Sequence, residues 1–136
     1  MQRLQNFAAK CVLSRKRGES ATAALKELHW LNVKSRIVYK VLLIMWKAVN
    51  KIGPAVLKIS FKETNSRSSE NQELETYNCK TAIGHRLIAF HGTRLWNALP
   101  LNIRTEKKDD KFKKSLKAFL FNSYDFLVKK AFKYTQ

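Results

Sequence analysis

The chain is poor in the residues that punctuate and staple a fold. Its 136 residues include four glycines, two prolines and two cysteines. So little turn chemistry argues against an all-β fold of many short strands and leaves helices as the default. Cys11 and Cys79 stand far apart, and neither belongs to a CxxC pair. No disulfide framework is expected from them, and a reducing intracellular compartment follows, nucleus or cytoplasm being left open. Long apolar runs are missing too. The longest, "VLLIMW" from Val41 to Trp46, falls well short of the roughly 20 residues of a membrane span. The opening "MQRLQNFAAKCVLSRKR" lacks the apolar stretch of a secretory signal.

Acidic residues are the remaining scarcity. Ten of them face 27 lysines and arginines, for a net charge of +17. The excess is uneven. Residues 1–60 carry twelve basic and two acidic side chains, residues 61–92 four of each, and residues 93–136 eleven and four. Such a field draws polyanions from a Debye length of about 8 Å at physiological salt. A plain solvated basic surface is the alternative reading of the same numbers.

What is present suffices for a core. With 45% apolar and 11% aromatic residues, the chain is expected to fold as one mainly α domain, 1–136, a small helical bundle. Leu4, Phe7, Ala8, Cys11 and Val12 fall on one face of a first helix, with Gly18 as its stop. Ser20 is placed to cap a second helix striped with Ala21, Ala24, Leu25 and Leu28, and a break follows at Asn32. From about 34 to 50 the pattern is apolar nearly all round, which predicts the central helix of the bundle. Pro54 opens a short further helix in "PAVLKISF". Residues 62–78 are polar and predict a flexible loop. A short extended piece or hairpin is expected near 84–92, between Gly84 and Gly92. A helix from Thr93 to Leu99 should stop at Pro100. A last helix is expected to start between Thr105 and Asp109 and to end near Phe132. Trp30, Trp46 and Trp96 are expected to anchor the core together with Leu95, Leu99 and Phe112. Asn97 is expected to cap or bridge backbone groups near Pro100.

The charges sort by the same logic. Glu106, Asp109 and Asp110 suit a helix start, and Lys129, Lys130 and Lys133 suit a helix end. Lys107, Lys108, Lys111, Lys113, Lys114 and Lys117 do not, because cations at a helix start are mildly unfavourable. With Arg15, Lys16 and Arg17 of "SRKRG", and with Lys34 and Arg36, they form the candidate nucleic-acid-binding set, gripping phosphates without reading bases. Cys79, His85 and His91 lack the close ligand pairs of a structural zinc site, so no metal is expected. No nucleophile motif or phosphate-binding glycine loop occurs, so no catalytic residue and no cofactor are expected.

Five pieces, in order, carry a resemblance. "LQNFAAKCVL" is similar to "QNxAAR". "ALKELHWLNVKSRIVYKVLLIMWKAVNKIGPAVL" is similar to "LxxLHWLPVxxRIxxKxLLLxxKALxGxAPxYL". "RSS" (Arg67 to Ser69) is a third piece. "TAIGHRLIAFHGTRLWNALPLNIR" is similar to "TxxGxRAFxxAAPxLWNxLPxxIR", and "FKKSLKAFLF" to "FKxxLKTxLF". Together they resemble the C-terminal region, after the palm and thumb, of reverse transcriptases from non-LTR (LINE-type, Jockey-like) retrotransposons. Asn32 stands where that family has proline, Val56 where it has tyrosine, and His91-Gly92-Thr93 where it has "AAP". The resemblance implies a fragment of an RNA-directed DNA polymerase whose palm, with its "YxDD" carboxylates, lies upstream of what is present here. In this chain "YD" occurs only at Tyr124-Asp125, so the carboxylate cluster of two-metal nucleotidyl transfer is missing. The partners implied are RNA or an RNA/DNA hybrid, held by its phosphates, and the polymerase palm and thumb. Self-association is a further expectation, through a face the thumb would cover.

Three functional classes stay open at this stage. One is a non-catalytic nucleic-acid-binding segment. The second is an inert relic of a transposable element, and the third a basic helical protein-interaction module.

Overall fold

The computed structural model describes residues 1–53, 57, 59–62 and 72–132, with the side chains of Arg86 and Phe132 left aside. Among the described residues there are six α-helices and no strand. They are α1 (Gln2–Val12), α2 (Ala21–Glu27), α3 (Val33–Val49), α4 (Ile88–Ala98), α5 (Leu101–Arg104) and α6 (Asp109–Phe132). The mainly helical bundle expected from composition is what forms. No described helix is long and apolar enough to cross a membrane. Contacts divide the chain into two compact units, Met1–Ile37 and Val38–Gln136.

The first unit pairs α1 with α2. Its small core is Ala9, Ala24 and Leu25, flanked by Leu13 and Leu28. Ser20 caps α2 as its position predicts, its hydroxyl accepting from the Ala23 N–H at 3.4 Å. Asn32, the residue at the break, caps α3 by accepting from the Ser35 N–H at 2.7 Å. Gly18 is not the stop of α1. That helix ends earlier, at Ser14, whose φ is +51°, with Arg15 N–H donating to the Lys10 carbonyl and Ser14 N–H to the Cys11 carbonyl. This paired closure is the Schellman motif, which glycine normally completes. Trp30 is 37% exposed, a departure from the core role expected of it. It follows His29, another residue at φ +51°, and its N–H closes α2 on the Leu25 carbonyl.

The second unit is built from the later part of α3 with α4, α5 and α6. In α3 the buried positions Val38, Leu42, Met45 and Trp46 recur at helical spacing, while Val41, Leu43 and Ile44 are half-buried. The helix is thus covered along one side, not wrapped all round. Trp46 stacks on Phe112 of α6 at 5.5 Å between ring centroids. Trp96 of α4 reaches the same ring at 6.1 Å. Each indole N–H finds a backbone carbonyl, Glu106 for Trp46 and Gln72 for Trp96. Leu95, Leu99, Leu116, Leu120 and Leu127 complete the interior. A helical break at Ser123 (φ −130°, ψ 23°) divides α6.

Two expectations are corrected here. Where a hairpin was expected near 84–92, residues Gly84–Arg86 form a 3-10 turn and α4 begins at Ile88. Phe90 is then a buried residue of that helix, and Gly92 lies against the Met45 side chain. The polar stretch 62–78 also holds an anchor. Leu74 is fully buried and bridges Phe61 in antiparallel sense. Residues 63–71 of that stretch, with the "RSS" piece, and the helix start at Pro54 and Val56 fall outside the described residues.

Candidate nucleic-acid interface

The expected phosphate-binding residues divide between the two units. In the first, Arg15 is committed to structure, because its guanidinium pairs with Glu27 of α2 and lies 3.8 Å from Glu19. Lys16 and Arg17 beside it are exposed, as are Lys34 and Arg36 on the opening turn of α3. In the second unit Lys113 is held by Asp109, one turn back on α6. That hydrogen bond raises the Lys113 ammonium above its ordinary value, so the charge is locked on and partly neutralised locally.

Five lysines remain. Lys107 and Lys108 lie in the turn before α6, and Lys111, Lys114 and Lys117 step along it; all five are exposed. Among the described residues none of them is ion-paired. At 100° per residue the last three occupy the arc opposite Phe112, Leu116 and Leu120, which are buried to within 1%. The apolar positions of α6 therefore orient its cations. Asp110 is exposed on the same outer side and tempers the field there.

The motif residues have other duties. Asn97 turns its amide on the backbone of Leu74, accepting from its N–H and donating to its carbonyl, both at 2.8 Å. The expectation of backbone bridging holds, but the partner is 23 residues upstream and not near Pro100. In α1, Gln5 donates to the Leu31 carbonyl at 2.7 Å and Gln2 accepts from the Val33 N–H at 2.8 Å. Gln2 also donates to Asn6 at 2.7 Å. These amides tie the first helix to the start of α3, a role the pattern of apolar residues did not disclose. Three amides at spacings of three and four were the signal available.

Arg104 was also missed. It is only 8% exposed, its Nη1 lies 4.0 Å from Glu73, and two of its nitrogens lack a hydrogen-bond partner. Burial lowers its pKa, with Glu73 opposing. A cleft of about 580 Å³ lies nearby, lined by Phe61, Lys62, Glu73, Glu75 and Asn97 among others. Ser60 and Thr76 also line it, and the Asn97 amide on its wall is already engaged by Leu74. No group of three or more His, Cys, Asp or Glu among the described residues is placed to hold a metal. Set against models of protein families, curated proteins and solved structures, the chain matches none of them.

Proposed function

We propose that this chain is a non-catalytic, nucleic-acid-binding segment of a retrotransposon reverse transcriptase, corresponding to the region after the palm and thumb. Its task in that reading is to hold template RNA or an RNA/DNA hybrid by the phosphates while the nucleotidyl transfer occurs elsewhere. The carrying observation is the set of five exposed lysines without an ion pair among the described residues: Lys107 and Lys108 before α6, and Lys111, Lys114 and Lys117, which its buried side turns outward. The ordered motifs support the family reading, because Trp96, Asn97 and the α1 amides act as anchors between distant segments. Residues with such duties are the ones a shared scaffold needs.

Filter binding of single-stranded RNA tests the proposal. Each engaged phosphate contributes about −0.7 to the log–log salt slope, so five would give roughly −3.5. Replacing Lys111, Lys114 and Lys117 by glutamine should lower that magnitude by about 2 and leave the circular dichroism unchanged. No measurable RNA affinity at low salt would remove the reading. It would then favour a relic or a protein-interaction module.

A further inference from the structure

The first helix is built inside out. Its inner side carries Ala9 with the partly buried amides Gln2, Gln5 and Asn6. Its outer side carries Leu4, Phe7, Ala8, Cys11 and Val12, at helical spacings and all exposed. Leu4 is 73%, Phe7 61% and Val12 60% exposed. Water is a poor solvent for such a stripe. The helix is not free to roll it inward, because Gln2 and Gln5 satisfy backbone groups of Val33 and Leu31. Polar pairing fixes the orientation and leaves an apolar strip facing out.

Charge and size indicate what would cover it. Neither Asp nor Glu occurs in α1. Arg3 is exposed along its border, and Lys16 and Arg17 just beyond its end. Residues 1–37 hold eight basic side chains and two acidic ones, and both acids are drawn to Arg15. A second copy would bring like charges together. Eleven residues make a rod of about 16 Å, whose strip falls short of the roughly 800 Å² each partner gives to a stable protein complex. A lipid surface makes no such demand. Short interfacial helices bind through a strip of apolar side chains plus cations drawn to anionic headgroups.

We infer that α1 is an interfacial element that seats Leu4, Phe7, Cys11 and Val12 at the acyl boundary of an anionic lipid surface. Arg3, Lys16 and Arg17 meet the headgroup phosphates. This inference does not rest on the RNA reading, which is carried by the lysines of α6 and the turn before it, although Lys16 and Arg17 belong to both candidate sets.

Cys11 lies within the strip and is exposed, which makes it a direct reporter. An environment-sensitive fluorophore is attached there in the full chain carrying Cys79→Ser. Its emission should shift to the blue on vesicles of mixed phosphatidylcholine and phosphatidylserine, and stay unchanged on phosphatidylcholine alone. Leu4→Asp with Phe7→Asp should weaken binding to the mixed vesicles at least about tenfold. If that variant loses helix, quenching of the Cys11 label by brominated lipid decides the matter on the unaltered face. Vesicles that sediment the protein while the label stays in water would overturn the inference, leaving adsorption by lysines alone. So would a label shielded without lipid as the mass doubles, which would assign the strip to a second copy.

Discussion

Ser14, His29 and Lys51 sit in the left-handed region at φ of +51°, +51° and +59°. Each closes a helix with the same pair of reversed hydrogen bonds; after α3 these run from Ile52 to the Lys47 carbonyl and from Lys51 to that of Ala48. An L side chain costs about 1–2 kcal/mol in that region, and no glycine of the chain has positive φ. The scarcity of glycine is thus a local cost that the helix ends carry. Lys51→Gly should raise stability by about 1 kcal/mol in urea unfolding, since Lys51 is exposed. Asn97 gives the opposite expectation. Its amide both donates and accepts against Leu74, and an aspartate can only accept. Asn97→Asp should cost about 1–3 kcal/mol at neutral pH by stranding the buried carbonyl, and Asn97→Ala a similar amount. Equal melts for Asn97→Asp and the parent would show that the clamp is not needed.

At the scale of elements, long periodic segments were legible and short or polar ones were not. The third and sixth helices have ends close to those their periodicity predicts, 33–49 and 109–132, because many apolar positions vote together. The hairpin expectation at 84–92 failed because two glycines weigh heavily in a short window. Gly92 is there for closeness, not for turning. A Cβ at that position would come within 2.4 Å of the Met45 sulfur, so the buried Met45 side chain occupies the space over Gly92. Overpacking of this kind costs about 1–3 kcal/mol, set against about 1 gained from helix propensity. Gly92→Ala should therefore be destabilising by about 1 kcal/mol. In the Met45→Val background it should be neutral or better, a coupling of about 1 kcal/mol in a double-mutant cycle. Additive values would mean that the two helices can part at no cost.

For the whole molecule the excess of positive charge works in two directions. Self-repulsion weakens the compact form, so the melting temperature should rise between about 20 and 200 mM salt. RNA affinity should fall over the same range. A melting temperature that drops with salt would mean that the ion pairs of Arg15 and Lys113 outweigh the repulsion. Much of the candidate site was legible, because a lysine on the solvent side of an amphipathic helix needs only the helix period to be placed. Which cations are already spoken for was not, since the partners of Arg15 and Arg104, Glu27 and Glu73, lie 12 and 31 positions away. The orientation of the first helix was hidden for a related reason, as hydropathy cannot weigh a glutamine that caps another helix. A mutational scan scored on folding alone would accordingly rank Gln5 as intolerant and Phe7 as permissive. Selection acting on Phe7 would then have to come from something other than folding.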